Sequence, residues 1–450
     1  MQRNYKVASF LGKIISVLIF VFISLNAKAY PDDWPGFQRD STHSGSSSVN
    51  FANKNISLLW AFSPTGRAWS YKSGSSVWSS SACIADVKGN SIIYAGFYNN
   101  NFYAVNAKDG SLIWRFIGGN RFNQAPVFAE INNRPMVFTA CSDRTIYALD
   151  ALSGEKIWSY ETLPWSYMLS EAIPSSPIVI PLDKLSLLAC AVWNSSQAPF
   201  NSFQKGELYV FNASTGEKLY SVVLSTTPLG SPCSGAIKGE PAIFISSNGG
   251  GVFALDARDG KIIWQLTLDS GLFSSPSILA DKEGSRIFIG SRFGNLYCLD
   301  AETGKTIWTK KAGHAIDSTP AIGNIGGRAY VYIGSYDRNI YCFDAVTGEK
   351  IWNYKTGDYA VSSCALAKIS EKTVVFAHSL DNKLYCLDGL TGSVVWSFDL
   401  GKLIWAYNTR GDTIWSSPAV GMAGEKPILV FPCYDSKLYA FSATTTQEGN

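Results

Sequence analysis

Short apolar runs recur along the chain, separated by polar, turn-forming residues. Between 274 and 308 the runs read SSPSILA (274–280), RIFIG (286–290), NLYCLDA (295–301) and KTIW (305–308), joined by segments such as SRFGN and AETGK. Runs of this length, rich in β-branched and aromatic side chains and bounded by Gly, Asn and Ser, predict strands and not helices. The four-run unit then repeats. Aligning its third run places Tyr or Phe at 103, 147, 209, 253, 297, 341, 385 and 439, in steps of 44, 62, 44, 44, 44, 44 and 54 residues. A fixed period near 44 with four strands per unit predicts the blades of a β-propeller, because one such unit cannot bury its apolar faces alone.

The chain ends predict how the ring closes. The last copy stops at KLYAFSATTT (437–446) without the Gly and Trp of the other copies, while the first orphan strand is ISLLWAF (56–62) with Trp60. Pairing the two supplies the missing outer strand and removes an exposed sheet edge. The expected fold is all-β, an eight-bladed propeller of four-stranded blades closed by the strand around Trp60.

The most conserved-looking phrase within the chain is CLDAETGKTIW (298–308), with copies at 342–352, 148–158 and 254–264. Its residues suit a turn between the third and fourth strands. Asp300 can accept backbone N–H groups, Gly304 can take positive φ, and Trp308 offers a flat surface to cover the join with a neighbouring blade. Outer strands carry Trp60, Trp114, Trp158, Trp264, Trp308, Trp352 and Trp396, with Tyr220 in the remaining blade. A residue repeated in one role round a ring is packing, so function is expected where the rhythm breaks.

Composition adds little to the fold and narrows the setting. The chain is 46% hydrophobic and 16% charged, as expected of a well-packed globular protein. Arg3, Lys6 and Lys13 precede IISVLIFVFISL (14–25), followed by Ala27 and Ala29. This has the form of a secretory signal with small residues at the cleavage positions. The apolar run is shorter than the roughly 20 residues a membrane span needs, so a retained anchor is the weaker alternative. No cysteine follows the run to accept a lipid. Removal of residues 1–29 takes away four basic residues and no acid, moving the formal charge from +3 to −1, which gives no electrostatic case for nucleic acid or anionic membrane. The nine cysteines are odd in number and scattered. Cys298, Cys342 and Cys386 stand where other copies have Ala, and free buried thiols are expected in preference to bridges. No CxxC pair or His/Cys cluster suggests a metal.

On these residues the chain resembles the eight-bladed propellers built from quinoprotein-type tryptophan-docking repeats, the PQQ-like repeat family. The DAxTGxxxW pattern carries the resemblance from about Ser57 to Ala443, and the leading DWPGFQRDSTHSG (33–45) looks like the segment that precedes the first blade in many secreted members. WD40 propellers have a similar period, but the Trp-Asp dipeptide is absent here. The resemblance implies two functional readings. One is a quinone-dependent dehydrogenase acting on alcohols or sugars, which would hold pyrroloquinoline quinone near the axis, a calcium ion and a carboxylate base. Family dehydrogenases of that type usually carry adjacent cysteines and long insertions, and no two cysteines are adjacent here. The other is a binding or scaffolding propeller similar to the BamB-type lipoproteins of bacterial outer-membrane barrel assembly, lean in its blades and without cofactor. The second is preferred. It implies a monomer in the bacterial periplasm or outside the cell, without a transmembrane helix once the signal is removed. Its partner would be an envelope protein or peptide, or a carbohydrate.

Breaks in the rhythm are rich in aromatic residues. They lie in 63–78, 161–174, 191–206 and 398–415, where Trp69, Tyr71, Trp78, Trp165, Tyr167, Trp193, Trp405, Tyr407 and Trp415 stand outside the repeat. Exposed aromatic rings suit a peptide, an extended strand or a sugar; the competing expectation is that they pack long loops onto the disc. All four breaks fall on or beside the face opposite the Gly turn. The position three before the Pro of SSP reads Trp78, Asn123, Pro174, Leu229, Phe273, Asp317, Val361 and Trp415 round the ring. Asp317, after His314, is the one carboxylate there, a candidate base or cation ligand or else a turn residue. His378 replaces a small residue of other blades and is expected to be a locally satisfied polar group. The resulting division is a signal at 1–29, a leader at 30–54, the propeller at 55–445 and a tail at 446–450.

Overall fold

Second strands of the repeat are buried almost throughout, as in Arg328–Gly334, where only the first residue is exposed. Outer strands such as Lys350–Lys355 alternate between exposed and covered positions. That difference is what sheets stacked round a ring produce: both faces of the central strands meet neighbouring sheets, and the outer strand meets water on its rim. The computed structural model describes residues 33–64, 81–162, 175–193, 206–224, 226–269, 271–282, 284–399, 416–432 and 437–443. Within them lie eight sheets, each an antiparallel run of four consecutive strands except where the chain ends join. Blades 1 to 8 cover 83–117, 127–161, 178–224, 233–267, 277–311, 321–355, 365–399 and 419–443. Their inner strands touch in sequence, and that of blade 8 touches that of blade 1, so the ring is closed. No helix among the described residues is long and apolar enough to cross a membrane.

Closure follows the expected pairing. Strand β2 (Ile56–Phe62) runs antiparallel to Leu438–Ala443 with Trp60 opposite Ala440, and forms the outer strand of blade 8. The preceding strand, β1 (Ser46–Phe51), was not anticipated. It pairs in parallel with the inner strand of blade 7, Ala365–Ile369, giving that sheet five strands.

The repeated phrase performs the two tasks read from it. In blade 5 the Asp300 carboxylate accepts the Thr303 N–H at 2.8 Å, and Gly304 donates to the Asp300 carbonyl with φ of 73°. Trp264 of blade 4 donates its indole N–H to the Ala301 carbonyl at 2.9 Å. The same bond joins blade 8 to blade 1 through Trp60, and blades 1 to 2, 2 to 3, 5 to 6 and 6 to 7 through Trp114, Trp158, Trp308 and Trp352. Tyr220 substitutes its hydroxyl, reaching the Ala257 carbonyl at 2.6 Å. A bulge one step before the aromatic residue in most outer strands, as between Cys342 and Phe343 opposite Trp352, adds the local twist that turns the ring toward the next blade.

The glycine is held by contact as well as by φ. A Cβ at Gly304 would stand 2.8 Å from the Trp264 ring. Gly304→Ala is expected to cost about 2–4 kcal/mol, combining the left-handed backbone penalty with overpacking, measured as a lower urea midpoint. An Ala at Gly239, where a Cβ meets nothing, should show only the backbone part. The eight described cysteines are all free and buried, and burial raises the Cys83 and Cys386 thiols well above their ordinary range. Cys433 lies outside the described residues.

Candidate functional site

The centre of the ring is filled by the chain's own leader. Trp34 exchanges two backbone hydrogen bonds with Ile84 of blade 1, both 2.8 Å. The Pro35 carbonyl then accepts from Phe128 of blade 2, Ser41 from Ser234 of blade 4, Thr42 from Ile278 of blade 5, Ser44 from Ile322 of blade 6, and Gly45 from Leu366 of blade 7. Each donor is the second residue of an inner strand. The leader thus follows the channel at the level of these second residues, meeting the inner strands of blades 1, 2, 4, 5, 6 and 7 in chain order, before leaving as β1. Inner strands would otherwise present unpaired N–H groups to the channel; leader carbonyls satisfy them. Trp34, Val49 and Phe51 are buried in the cluster that also holds Ile84, Ile93 and Phe376.

Such a tight circuit needs unusual backbone. Gln38, Arg39, His43 and Gly45 all have positive φ, and the Asp40 carboxylate organises the bend by accepting Thr42 N–H at 3.1 Å, Ser44 N–H at 3.0 Å and both hydroxyls. His43 is fully buried, its Nδ1 2.9 Å from the Pro276 carbonyl of blade 5. Burial lowers its pKa to about 4, against smaller opposing effects of that bond and of Asp40.

One level above the leader lies a belt of serines that explains the SSP phrase. At six of the eight joints the backbone N–H of the residue before the Pro, or its counterpart, reaches the hydroxyl of the equivalent residue on the next blade: Ala125 to Ser176, Ser176 to Ser231, Ser231 to Ser275, Thr319 to Ser363, Ser363 to Ser417 and Ser417 to Ser81, at 2.8–3.2 Å. Ser81 meets Ala125, which has no hydroxyl to continue the belt. The first serine of the phrase works within its blade, as Ser318 does in accepting the Gly334 N–H at 3.0 Å. The recurrence is visible in the sequence as a strand start; its role as an inter-blade tie is not, because the partners are 44 to 55 residues apart, or 336 where the ring closes.

Above the belt is the mouth on the insertion-bearing face. Of the predicted ring positions, Asn123, Leu229, Phe273, Asp317 and Val361 are described, and the others fall outside the described residues, as do Trp69, Tyr71, Trp78, Trp165, Tyr167, Trp405, Tyr407 and Trp415. Trp193 ends the second strand of blade 3, Ser186–Trp193, and its side chain also lies outside the description. Asp317 is buried, and its carboxylate takes a two-pronged grip from Arg292, with Nε 3.2 Å and the NH2 group 3.0 Å away. The Arg292 guanidinium also lies over the Phe273 ring, 3.6 Å from its centroid. Asp317 is thus the ion-pair partner of Arg292.

The same face carries residues that the sequence did not single out. Phe293 is 60% exposed and Tyr359 39% exposed. Arg121 stands over Tyr98 and Arg338 over Tyr359, while the rings of His314, Tyr336 and Tyr359 follow one another at 6.1 and 5.3 Å. These sit inside copies of the regular repeat, in turns between second and third strands or in lead-ins to the next blade, so the search for breaks in period passed over them. His378 is fully buried against Phe431 of blade 8, 4.9 Å between rings, and neither ring nitrogen has a partner among the described residues. The expected local satisfaction is absent. Burial lowers its pKa to about 4, with Asp381 opposing.

Blades tied by docking turns and a serine belt define an eight-bladed propeller of the PQQ-like repeat class. The chain belongs to the family described as outer membrane protein assembly factor BamB, which matches residues 57–196, 204–283 and 277–402. Among solved structures it is similar to the quinohemoprotein alcohol dehydrogenase of Comamonas testosteroni, at 13% identity over 96% of this chain and 83% of that one, with a TM-score of 0.68. A europium-containing methanol dehydrogenase gives 13% identity, 94% and 99% coverage and a TM-score of 0.66. BamB from Moraxella catarrhalis gives 15%, 86% and 99%, and 0.55. At these identities the likenesses carry the fold. No curated protein sequence matches the chain.

The dehydrogenase likenesses raise the question of whether a quinone and its calcium could be held. Among the described residues the donor set does not fit. The mouth carboxylate Asp317 is committed to Arg292, the channel below the belt is occupied by the leader, and no group of three His, Cys, Asp or Glu side chains lies together.

Proposed function

We propose that this chain is an exported, non-enzymatic binding or scaffolding propeller of the bacterial periplasm or extracellular space, which recognises an envelope protein or peptide with the aromatic loops of its insertion-bearing face. The observation that carries this reading is the leader's circuit of the channel, which leaves the insertion-bearing face as the surface where sequence length and aromatic residues are free to serve recognition. Trp69, Tyr71, Trp78, Trp165, Tyr167, Trp193, Trp405, Tyr407 and Trp415 would supply apolar anchors, beside the Arg292–Phe273–Asp317 group and exposed Phe293.

Capture from the envelope fraction with the mature chain is expected to recover a defined partner, and replacing Trp69, Trp165 and Trp405 together by Ala should abolish recovery while leaving the unfolding midpoint in place. Retained recovery would assign those rings to packing. The second reading, a pyrroloquinoline-quinone-dependent dehydrogenase of alcohols or sugars, draws on the likeness to two such enzymes. Stoichiometric binding of the quinone with calcium and dye-linked oxidation would establish it in place of the first.

A further inference from the structure

Seven of the eight joints between blades carry the aromatic-to-carbonyl bond, at 2.6–3.3 Å. The eighth, from blade 7 to blade 8, does not. Trp396 occupies the docking position and packs on Phe376 at 5.9 Å, as its counterparts pack on their own blades. Its indole N–H is nevertheless buried without a partner among the described residues, although Ala443, the counterpart of the acceptor Ala345, is described.

Sequence explains the difference. Each docked turn has a glycine, at 110, 154, 216, 260, 304, 348 or 392, with φ of 69–76°. A Cβ there would come within 2.5–2.8 Å of the docking side chain. In the last copy this place falls on Thr446, and the Asp or Asn that organises the turn elsewhere is replaced by Ser442, whose hydroxyl is directed to the Pro427 carbonyl instead. Neither residue type of the docking turn is present at these two places of the sequence, and Thr446 itself lies outside the described residues.

The other side of the joint is also different. At Gly96, Gly290 and Gly334 the lead-in to the next blade lies so close that a Cβ would overlap the carbonyls of Phe122, Ile316 and Ala360. Blade 7 has His378 at this place, with both ring nitrogens unpartnered among the described residues. Buried donors and acceptors left this way weaken a contact. Blade 8 is held to blade 7 by apolar packing, in the cluster that includes Phe376, Phe431 and Phe441 and against which Trp396 packs, and toward the axis by the Ser363 N–H on the Ser417 hydroxyl and by β1, which pairs with blade 7 and touches the first two strands of blade 8; the rim bond alone is missing.

We propose that the joint between blades 7 and 8 is a built-in seam, at which the rim of the ring opens while the other seven joints stay shut, hinged at the axis by β1 and the serine belt. Hydrogen exchange on the full chain tests it by comparing outer strands in equivalent positions. Val394–Asp399 is expected to exchange at least tenfold faster than Lys350–Lys355 and Thr306–Lys311. Thr446→Gly should slow that exchange by restoring a turn that can dock, an effect that simple fraying of the chain end would not show. Trp352→Phe should lower the melting temperature by several degrees and Trp396→Phe by less than one. Equal protection of the three strands, or equal losses in the two Phe variants, would overturn the proposal.

Discussion

Replacing Trp34 by Ala is expected to lower the free energy of unfolding by about 3–5 kcal/mol, the range for emptying a large buried aromatic site. Trp34 is 1% exposed and packs in the cluster that joins leader, blade 7 and blade 8 to blade 1. The loss is one of packing, and the backbone pair with Ile84 can persist. Urea unfolding checks this, with Ile117→Ala as the control. Ile117 is 63% exposed at the rim, and its truncation should change stability by less than about 0.5 kcal/mol. A Trp34→Ala midpoint equal to that of the control would mean that the leader contributes nothing to the ring.

Acid should destabilise the protein between pH 6.5 and 4. His43 and His378 are buried with folded-state pKa near 4 against an ordinary 6.5, and the dominant cause for both is burial. The unfolded chain therefore binds protons that the folded one refuses. Stability from keeping both rings neutral is complete above 6.5, falls as pH drops, and is exhausted below 4. Each ring accounts for about 3 kcal/mol over that window, with a limiting slope of about 1.4 kcal/mol per pH unit. Carboxylates with depressed pKa, such as Asp256, whose hydrogen bonds from Arg258 dominate, lose their contribution below this window and do not confuse it. Urea midpoints at pH 7, 6, 5 and 4.5 should decline in the wild type and decline less in His378→Phe. A flat profile would contradict burial of both rings in the neutral form.

What could be read from the sequence was whatever the repeat states many times. Tyr341 and its seven counterparts gave blade number and strand count, and the mismatch between KLYAFSATTT and ISLLWAF gave the closing pair. Asp300, Gly304 and Trp308 could be assigned roles because turn chemistry and indole size are local properties. Contacts between segments with no shared period were not legible. Nothing in DWPGFQRDSTHSG announces that its carbonyls will be spaced to meet six inner strands, since carbonyl direction depends on the left-handed residues Gln38, Arg39 and His43 and not on side-chain pattern. Asp317 stands out by its place in a column of residues, but its partner Arg292 lies in the preceding blade's turn, and the 44-residue period does not relate the two. The unpartnered ring of His378 among the described residues is likewise not legible in its place in the repeat, because satisfaction of a buried ring is decided by neighbours and not by its own position.

The leader's place inside the ring also constrains how the protein can come into being. It is synthesised before any blade, and a closed disc offers its channel only end-on to a segment that must bend left-handed at three non-glycine residues. Blades 1 to 7 can instead gather round the leader in the order in which they emerge, the inner strands of all but blade 3 adding a bond to a carbonyl already waiting. Blade 8 then finds β2 still held nearby by β1, which turns a closure between residues almost 380 positions apart into a short-range search and reduces its loop-entropy cost. The segment that looks like a preamble to the fold acts as the mandrel on which the ring is wound.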